Sequence, residues 1–209
     1  MDRKTSAEII RLLRRRYGEV KPALDYRSVY ELCIAVVLSA HTTDRQVNLV
    51  TPELFRLYPD ATALAKAPVA KLEKIVQSTG FYRMKAKHIS QLAKAVAEKF
   101  GGEIPSDRAS LESLPGVGRK SANVILSQGF GVQAMAVDTH VGRLARRMGY
   151  SASENPLAVE QDLCSFIPEK DWTETHLLLI THGRSICTAR KPDCGNCPVS
   201  KLCPSAGME

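Results

Sequence analysis

The residues with the most chemistry in them stand in two places. One is the tail, where Cys187, Cys194, Cys197 and Cys203 follow a C-x6-C-x2-C-x5-C pattern. Thiolates suit zinc or an iron–sulfur cluster, and four of them this close in sequence can surround one metal centre. Tetrahedral zinc sites usually use two tight pairs. Here one tight pair is flanked by two wider gaps. That favours a single large centre wrapped by a loop, iron–sulfur ahead of zinc, with zinc still open. Arg184, Arg190, Lys191 and Lys201 lie near enough in sequence to offset the negative charge of such a cluster. Cys33 and Cys164 stand apart and read as small buried hydrophobes.

The other place is Leu114-Pro115-Gly116-Val117-Gly118-Arg119-Lys120. Ala109 to Ser113 reads as a short helix stopped by Pro115 and Gly116, and Ser121 to Leu126 reads as the next helix. Glycine accepts positive φ and lets a ligand approach the backbone closely. A glycine turn that opens a helix presents N–H groups suited to phosphate oxygens. An ordinary helix–helix turn would need no more than this. The basic pair Arg119-Lys120 tips the balance: the helix dipole disfavours cations in a first turn, so a ligand is what wants them.

Asp138 lies in Val137-Asp138-Thr139-His140, and Val141, Leu144, Ala145 and Met148 follow at helical spacing. From spacing alone, Asp138 is an N-cap that accepts a backbone N–H. His140, His176 and His182 carry no chemistry on the same grounds.

Other elements must position these groups. Helical periodicity runs through Ile9–Tyr17, the apolar Val29–Leu38, Val47–Leu57, short pieces near Leu64 and Leu72–Val76, Ala86–Phe100, Leu157–Phe166 and Trp172–Ile186. Ser39–Asp44 reads as a polar junction, Ser78–Tyr82 reads as a turn, and Gly101-Gly102 ends a helix. Met135-Ala136-Val137 is too short for a strand, so the fold class is all-α. Composition shifts sharply only after about Ile186.

The chain has 209 residues, with 29 Lys and Arg against 22 Asp and Glu, a formal charge of +7. The excess favours a polyanionic partner, nucleic acid first. Met1–Arg16 lacks the apolar core of a secretory signal, and Cys33–Leu38 is too short to span a bilayer. The expected compartment is a reducing cytoplasm, where clustered cysteines bind metal rather than pair.

Three features, in this order and at these separations, resemble the endonuclease III family of DNA repair glycosylases over almost the whole chain: Leu114–Lys120, Val137–His140 and the four-cysteine spacing. The resemblance implies two helical domains with DNA in the cleft between them. Residues 22–132 would form a six-helix barrel carrying the helix-hairpin-helix at about 109–129. Residues 1–21 with 133–209 would form the iron–sulfur domain, its cluster loop at 187–203. Lys120 would be the nucleophile and Asp138 the catalytic carboxylate. Cys187, Cys194, Cys197 and Cys203 would hold a [4Fe-4S] cluster. The chain departs from the family at His41, often glutamine, at Phe81, often aliphatic, and at Gly142 inside a helix. The first two bear on damage preference and opposite-base preference.

The implied chemistry begins with extrusion of a damaged base, because a base inside a duplex is out of reach. His41 and Phe81 would fill the gap, although core packing explains Phe81 equally well at this stage. Lys120 would attack C1′, expel an oxidised pyrimidine and form an imine, and β-elimination would cut the strand 3′ to the lesion. An ordinary lysine is unprotonated in only roughly one molecule in a thousand at pH 7, so burial, Arg119 and the helix N-terminus are expected to favour the neutral amine. Gly116, Val117, Gly118, Arg119, Arg190 and Lys191 would contact DNA. The chain is expected to act as a cytoplasmic, nucleoid-associated monomer. Rival readings are a monofunctional adenine glycosylase of the same superfamily, a non-catalytic iron–sulfur DNA-binding protein and a zinc-ribbon scaffold. The first resembles the chain but lacks a lysine at position 120 and carries a further C-terminal domain.

Overall fold

A computed structural model describes residues 1–208, which hold eleven α-helices and no β-strand among them. In chain order these are α1 (Arg3–Tyr17), α2 (Val29–Leu38), α3 (Asp44–Leu57), α4 (Ala61–Ala65), α5 (Val69–Ile75), α6 (Tyr82–Lys99), α7 (Arg108–Glu112), α8 (Arg119–Gly129), α9 (Thr139–Arg147), α10 (Pro156–Phe166) and α11 (Trp172–Ser185). The all-α expectation holds. Among the described residues no helix is long and apolar enough to cross a membrane.

The chain divides into two compact units, residues 22–132 and residues 1–21 with 133–209. In the first, α2 is apolar at almost every position, Glu31 being the one charged residue, and therefore has to be central. Leu32, Cys33, Ile34, Ala35 and Leu38 are all fully buried. Burial pushes the Cys33 thiol up to about 12, so it behaves as a small apolar group. Ser28 caps α2 by accepting from Glu31 N. The buried Glu31 carboxylate is held by Arg27, whose guanidinium lies 2.8 Å away. Against this core α6 turns Ala86, Ile89, Leu92, Ala93 and Val96 inward, the i, i+3, i+4, i+7 stripe of an amphipathic helix. It begins at Tyr82, four residues before its apolar stripe.

In the second unit α1, α9, α10 and α11 share one core of Ile9, Leu13, Val141, Leu144, Val159, Leu163, Leu178 and Val199. Arg14 of α1 ties to α11 and the turn before it, donating to Glu174 and Asp171. Ser6 and Tyr150 share a buried hydrogen bond of 3.1 Å. Cys164 is only half-buried, less than its sequence neighbourhood suggests. Gly142 lies inside α9 where an added Cβ would meet only ordinary contacts, Arg146 Nη1 at 3.6 Å and Val137 Cγ1 at 3.8 Å. Nothing in the structure explains the glycine.

Candidate active site and metal centre

In unit 22–132 the hairpin between α7 and α8 is anchored by two buried side chains, Leu114 and Val117, and closed by Val117 N donating to Leu114 O at 3.1 Å. The two glycines do different work. Gly116 sits at φ 83°, and a Cβ there would lie 3.0 Å from Val37 Cγ1 of α2 and 3.2 Å from His88 Cβ of α6. Backbone conformation and close packing both require glycine. Gly118 is extended, with no atom within 4 Å of an added Cβ. It leaves open space beside the start of α8, and no side chain caps that helix. Arg119 and Lys120 occupy its first turn and both are exposed. Burial of Lys120, expected from the sequence, is therefore absent in the free protein.

The same unit places His41 and Phe81 together. Their rings lie 5.6 Å apart, centroid to centroid. These two are the only non-glycine residues with positive φ among the described residues, at 54° and 45°. Side chains larger than hydrogen are disfavoured there, and each such residue costs roughly 1–3 kcal/mol. Phe81 is 65% exposed, so the core-packing account of it fails. A second tie links the first turn of α3 to the turn before α6, Gln46 Nε2 donating to Ser78 Oγ at 2.7 Å.

In the other unit Asp138 is half-buried and caps α9, its Oδ1 accepting from Val141 N at 2.8 Å. The extended segment before it, Ala134–Val137, is buried. His176 of α11 pins that segment, its Nδ1–H donating to Ala136 O at 2.7 Å. This structural histidine aims the residue that follows.

The four tail cysteines line one small pocket, together with Arg147, His182, Ile186 and Val199. Among the described residues no three His, Cys, Asp or Glu side chains converge as ligands of a single ion would. Four thiols gathered at one pocket are a donor set that iron–sulfur centres use. Burial pushes the Cys197 and Cys203 thiols up, so a metal has to displace their protons to bind. Two further groups reach the sulfurs that the sequence did not single out. Arg147 Nη1 donates to Cys187 Sγ at 3.4 Å and also to Thr188 O, bracing the loop. His182 is fully buried, and burial lowers its pKa to about 4. Its Nδ1 lies 2.7 Å from Tyr17 Oη and its Nε2 lies 3.5 Å from Cys197 Sγ. The tautomer that satisfies both contacts has Tyr17 donating to Nδ1 and Nε2–H directed at sulfur. Arg190, Lys191 and Lys201 are exposed, and it is Arg147 that meets a sulfur. No spacing rule marks Arg147 or His182, because the contacts exist only once α9, α11 and the tail have packed.

Residues 34–169 match the model of the HhH-GPD superfamily of base excision DNA repair proteins. Residues 187–203, which begin and end on cysteines, match the iron–sulfur binding domain of endonuclease III. A [4Fe-4S] cluster is accordingly the cofactor of this chain. Endonuclease III of Synechocystis sp. is 44% identical over 98% of this chain and 94% of its own. Two solved structures superpose with a TM-score of 0.95 at 39% identity, over 100% of this chain and 98% of theirs. One is a non-covalent endonuclease III–DNA complex and the other is a trapped endonuclease III–DNA covalent intermediate. The chain belongs to the endonuclease III family of the HhH-GPD superfamily of base excision DNA repair proteins.

Proposed function

We propose that this chain removes oxidised pyrimidines from duplex DNA and cuts the abasic strand 3′ to the lesion, with Lys120 as nucleophile and Asp138 as the assisting carboxylate. Its family makes it a base-excision DNA glycosylase with abasic-site lyase activity. One observation carries the residue assignment: Lys120 stands exposed in the first turn of α8, a helix with no side-chain cap, beside a glycine with open space around it. A backbone opening of this kind receives a phosphate, and it would set the sugar of the same nucleotide against the lysine.

The unprotonated Nζ attacks C1′, the C1′–N bond breaks, and the base departs with the electron pair and takes up a proton. Ring opening and loss of the remaining N–H proton give the imine. Removal of a 2′ proton then expels the 3′ phosphate. Asp138 offsets positive charge growing on the sugar and assists the proton transfers. Because Lys120 is exposed in the free protein, its removal from water arrives with the DNA.

Gly116, Val117, Gly118 and Arg119 would hold the phosphate backbone through the hairpin, and His41 and Phe81 would occupy the gap left by the everted nucleotide. We assign the helical barrel and its helix-hairpin-helix to residues 22–132 and the iron–sulfur unit to residues 1–21 with 133–209, acting together as a monomer. Cys187, Cys194, Cys197 and Cys203 would hold the cluster. When bound, it supplies cross-links for a loop whose only regular pieces are two short 3-10 turns. Arg190 and Lys191 lie exposed between the first two cysteines, where phosphates can meet them. Replacing either by alanine is expected to flatten the dependence of log K on log salt by about one unit. An unchanged slope would leave them without a phosphate contact.

Borohydride trapping on duplexes carrying different oxidised pyrimidines, or a preformed abasic site, tests the whole reading when base release and strand cutting are both scored. The expected result is a trapped adduct with each, and equal yields of release and cutting. Base release without an adduct would instead make the chain a monofunctional glycosylase.

A further inference from the structure

Lys85 has the largest side chain among the fully buried residues of the described chain, at 1% exposure. A buried ammonium is costly unless something pairs with it. Its Nζ donates to Thr79 O at 2.6 Å, and no carboxylate forms an ion pair with it among the described residues. It also lies in the first turn of α6, where the helix dipole disfavours a cation. Burial, a lone neutral acceptor and the dipole all weigh against a lysine here, and burial lowers its pKa. Core stability alone would be better served by an apolar side chain of the same length.

What the ammonium holds is the turn that presents Phe81. Thr79 O belongs to the peptide plane between Thr79 and Gly80, and rotation of that plane sets φ of Gly80. Gly80 and Phe81 are consecutive left-handed residues at φ 68° and 45°. Thr79 is itself buried, its Oγ1 donating to Val76 O at 2.7 Å. The turn is thus gripped from behind while its tip projects an exposed ring against His41. We infer that Lys85 is a positioning residue for the DNA wedge: its buried Nζ locks the Thr79 carbonyl, and so keeps Phe81 in the strained, outward geometry needed to enter the base stack. The inference rests on the reading of Phe81 as a wedge.

The test compares cleavage of one abasic site in duplex and in single-stranded DNA, where there is no stack to open, using the intact cluster-loaded protein. Lys85→Met keeps the volume and removes the donors. It is expected to lower duplex cleavage about tenfold through misplacement of the wedge. Single-strand cleavage should stay within about twofold of the parent, and in a Phe81→Ala background Lys85→Met should add nothing further. Lys85→Gln, which keeps an N–H, is run in parallel. It should fall between Met and the parent on duplex DNA, and it carries the same comparison if the Met variant does not fold. Equal losses on both substrates, an undiminished loss in the Phe81→Ala background, or no loss on duplex would each overturn the role of Lys85. If Phe81→Ala alone leaves the duplex rate unchanged, the wedge reading itself fails first, and that outcome is distinguishable from the others.

Discussion

Lys120→Ala is expected to abolish the borohydride-trapped adduct and to lower both base release and strand cutting by on the order of a thousandfold or more. The size follows from the role. A nucleophile that forms the covalent intermediate has no partial substitute, since water attack at C1′ leaves no imine from which the strand can be cut. The structure also says why the result can be read as chemistry. Lys120 is exposed and stands at the second position of α8. Alanine is the better helix former, and exposed substitutions away from caps and cores shift stability by about 0.5 kcal/mol or less. The variant should therefore fold, retain its iron colour and bind lesion duplex. Lys120→Arg provides the charge control: it keeps a cation at the hairpin, supplies no nucleophilic amine at neutral pH, and should fail to trap as completely as alanine. An adduct of undiminished yield in Lys120→Ala would remove this residue from the mechanism.

The helices were legible because their cause is local. The stripe Ile89, Leu92, Ala93, Val96 has one physical outcome, as does the nearly unbroken apolar run of α2. Caps at Ser28 and Asp138 are short-range hydrogen bonds written in residue type. The four tail cysteines could be singled out because their spacing suits one metal centre, and Arg119-Lys120 because cations are out of place in a first turn, while the nucleophile role of Lys120 came only with the family resemblance. Phe81 could not be placed in the core or on the surface from sequence, since an aromatic at the head of an amphipathic helix suits either. Its exposure follows from two consecutive left-handed residues, and only glycine at position 80 hinted at that. Lys85 gave no signal at all: a lysine four residues after an aromatic reads as a solvated face. Its burial depends on a carbonyl six residues earlier in the chain. Arg147 and His182 stayed hidden for a similar reason, being brought to the sulfurs by packing between elements 15 to 40 residues apart in sequence. Local rules recover elements and ligand spacing. They do not recover second neighbours of a site.

Asp138 joins both kinds of information, because a cap and the proposed catalytic carboxylate coincide in one side chain. Its Oδ1 already accepts from Val141 N at 2.8 Å. Asparagine caps a helix about as well as aspartate, so Asp138→Asn keeps that hydrogen bond and loses only the charge. The expected result is a melting point close to that of the parent with a rate of base release lower by roughly 10²–10³, the range for loss of a positioned charge or proton acceptor. Asp138→Ala loses charge and cap together. It should show a similar rate loss and also be destabilised by about 1 kcal/mol, which for a chain of this size lowers the melting point by about 2–4 °C. Because stability and rate respond separately across the two variants, thermal melts and single-turnover assays on the same preparations separate the two roles. Parent-like turnover in Asp138→Asn would reduce Asp138 to a helix cap, and the positive charge growing at C1′ would then have to be met by another acidic group or by the DNA phosphates.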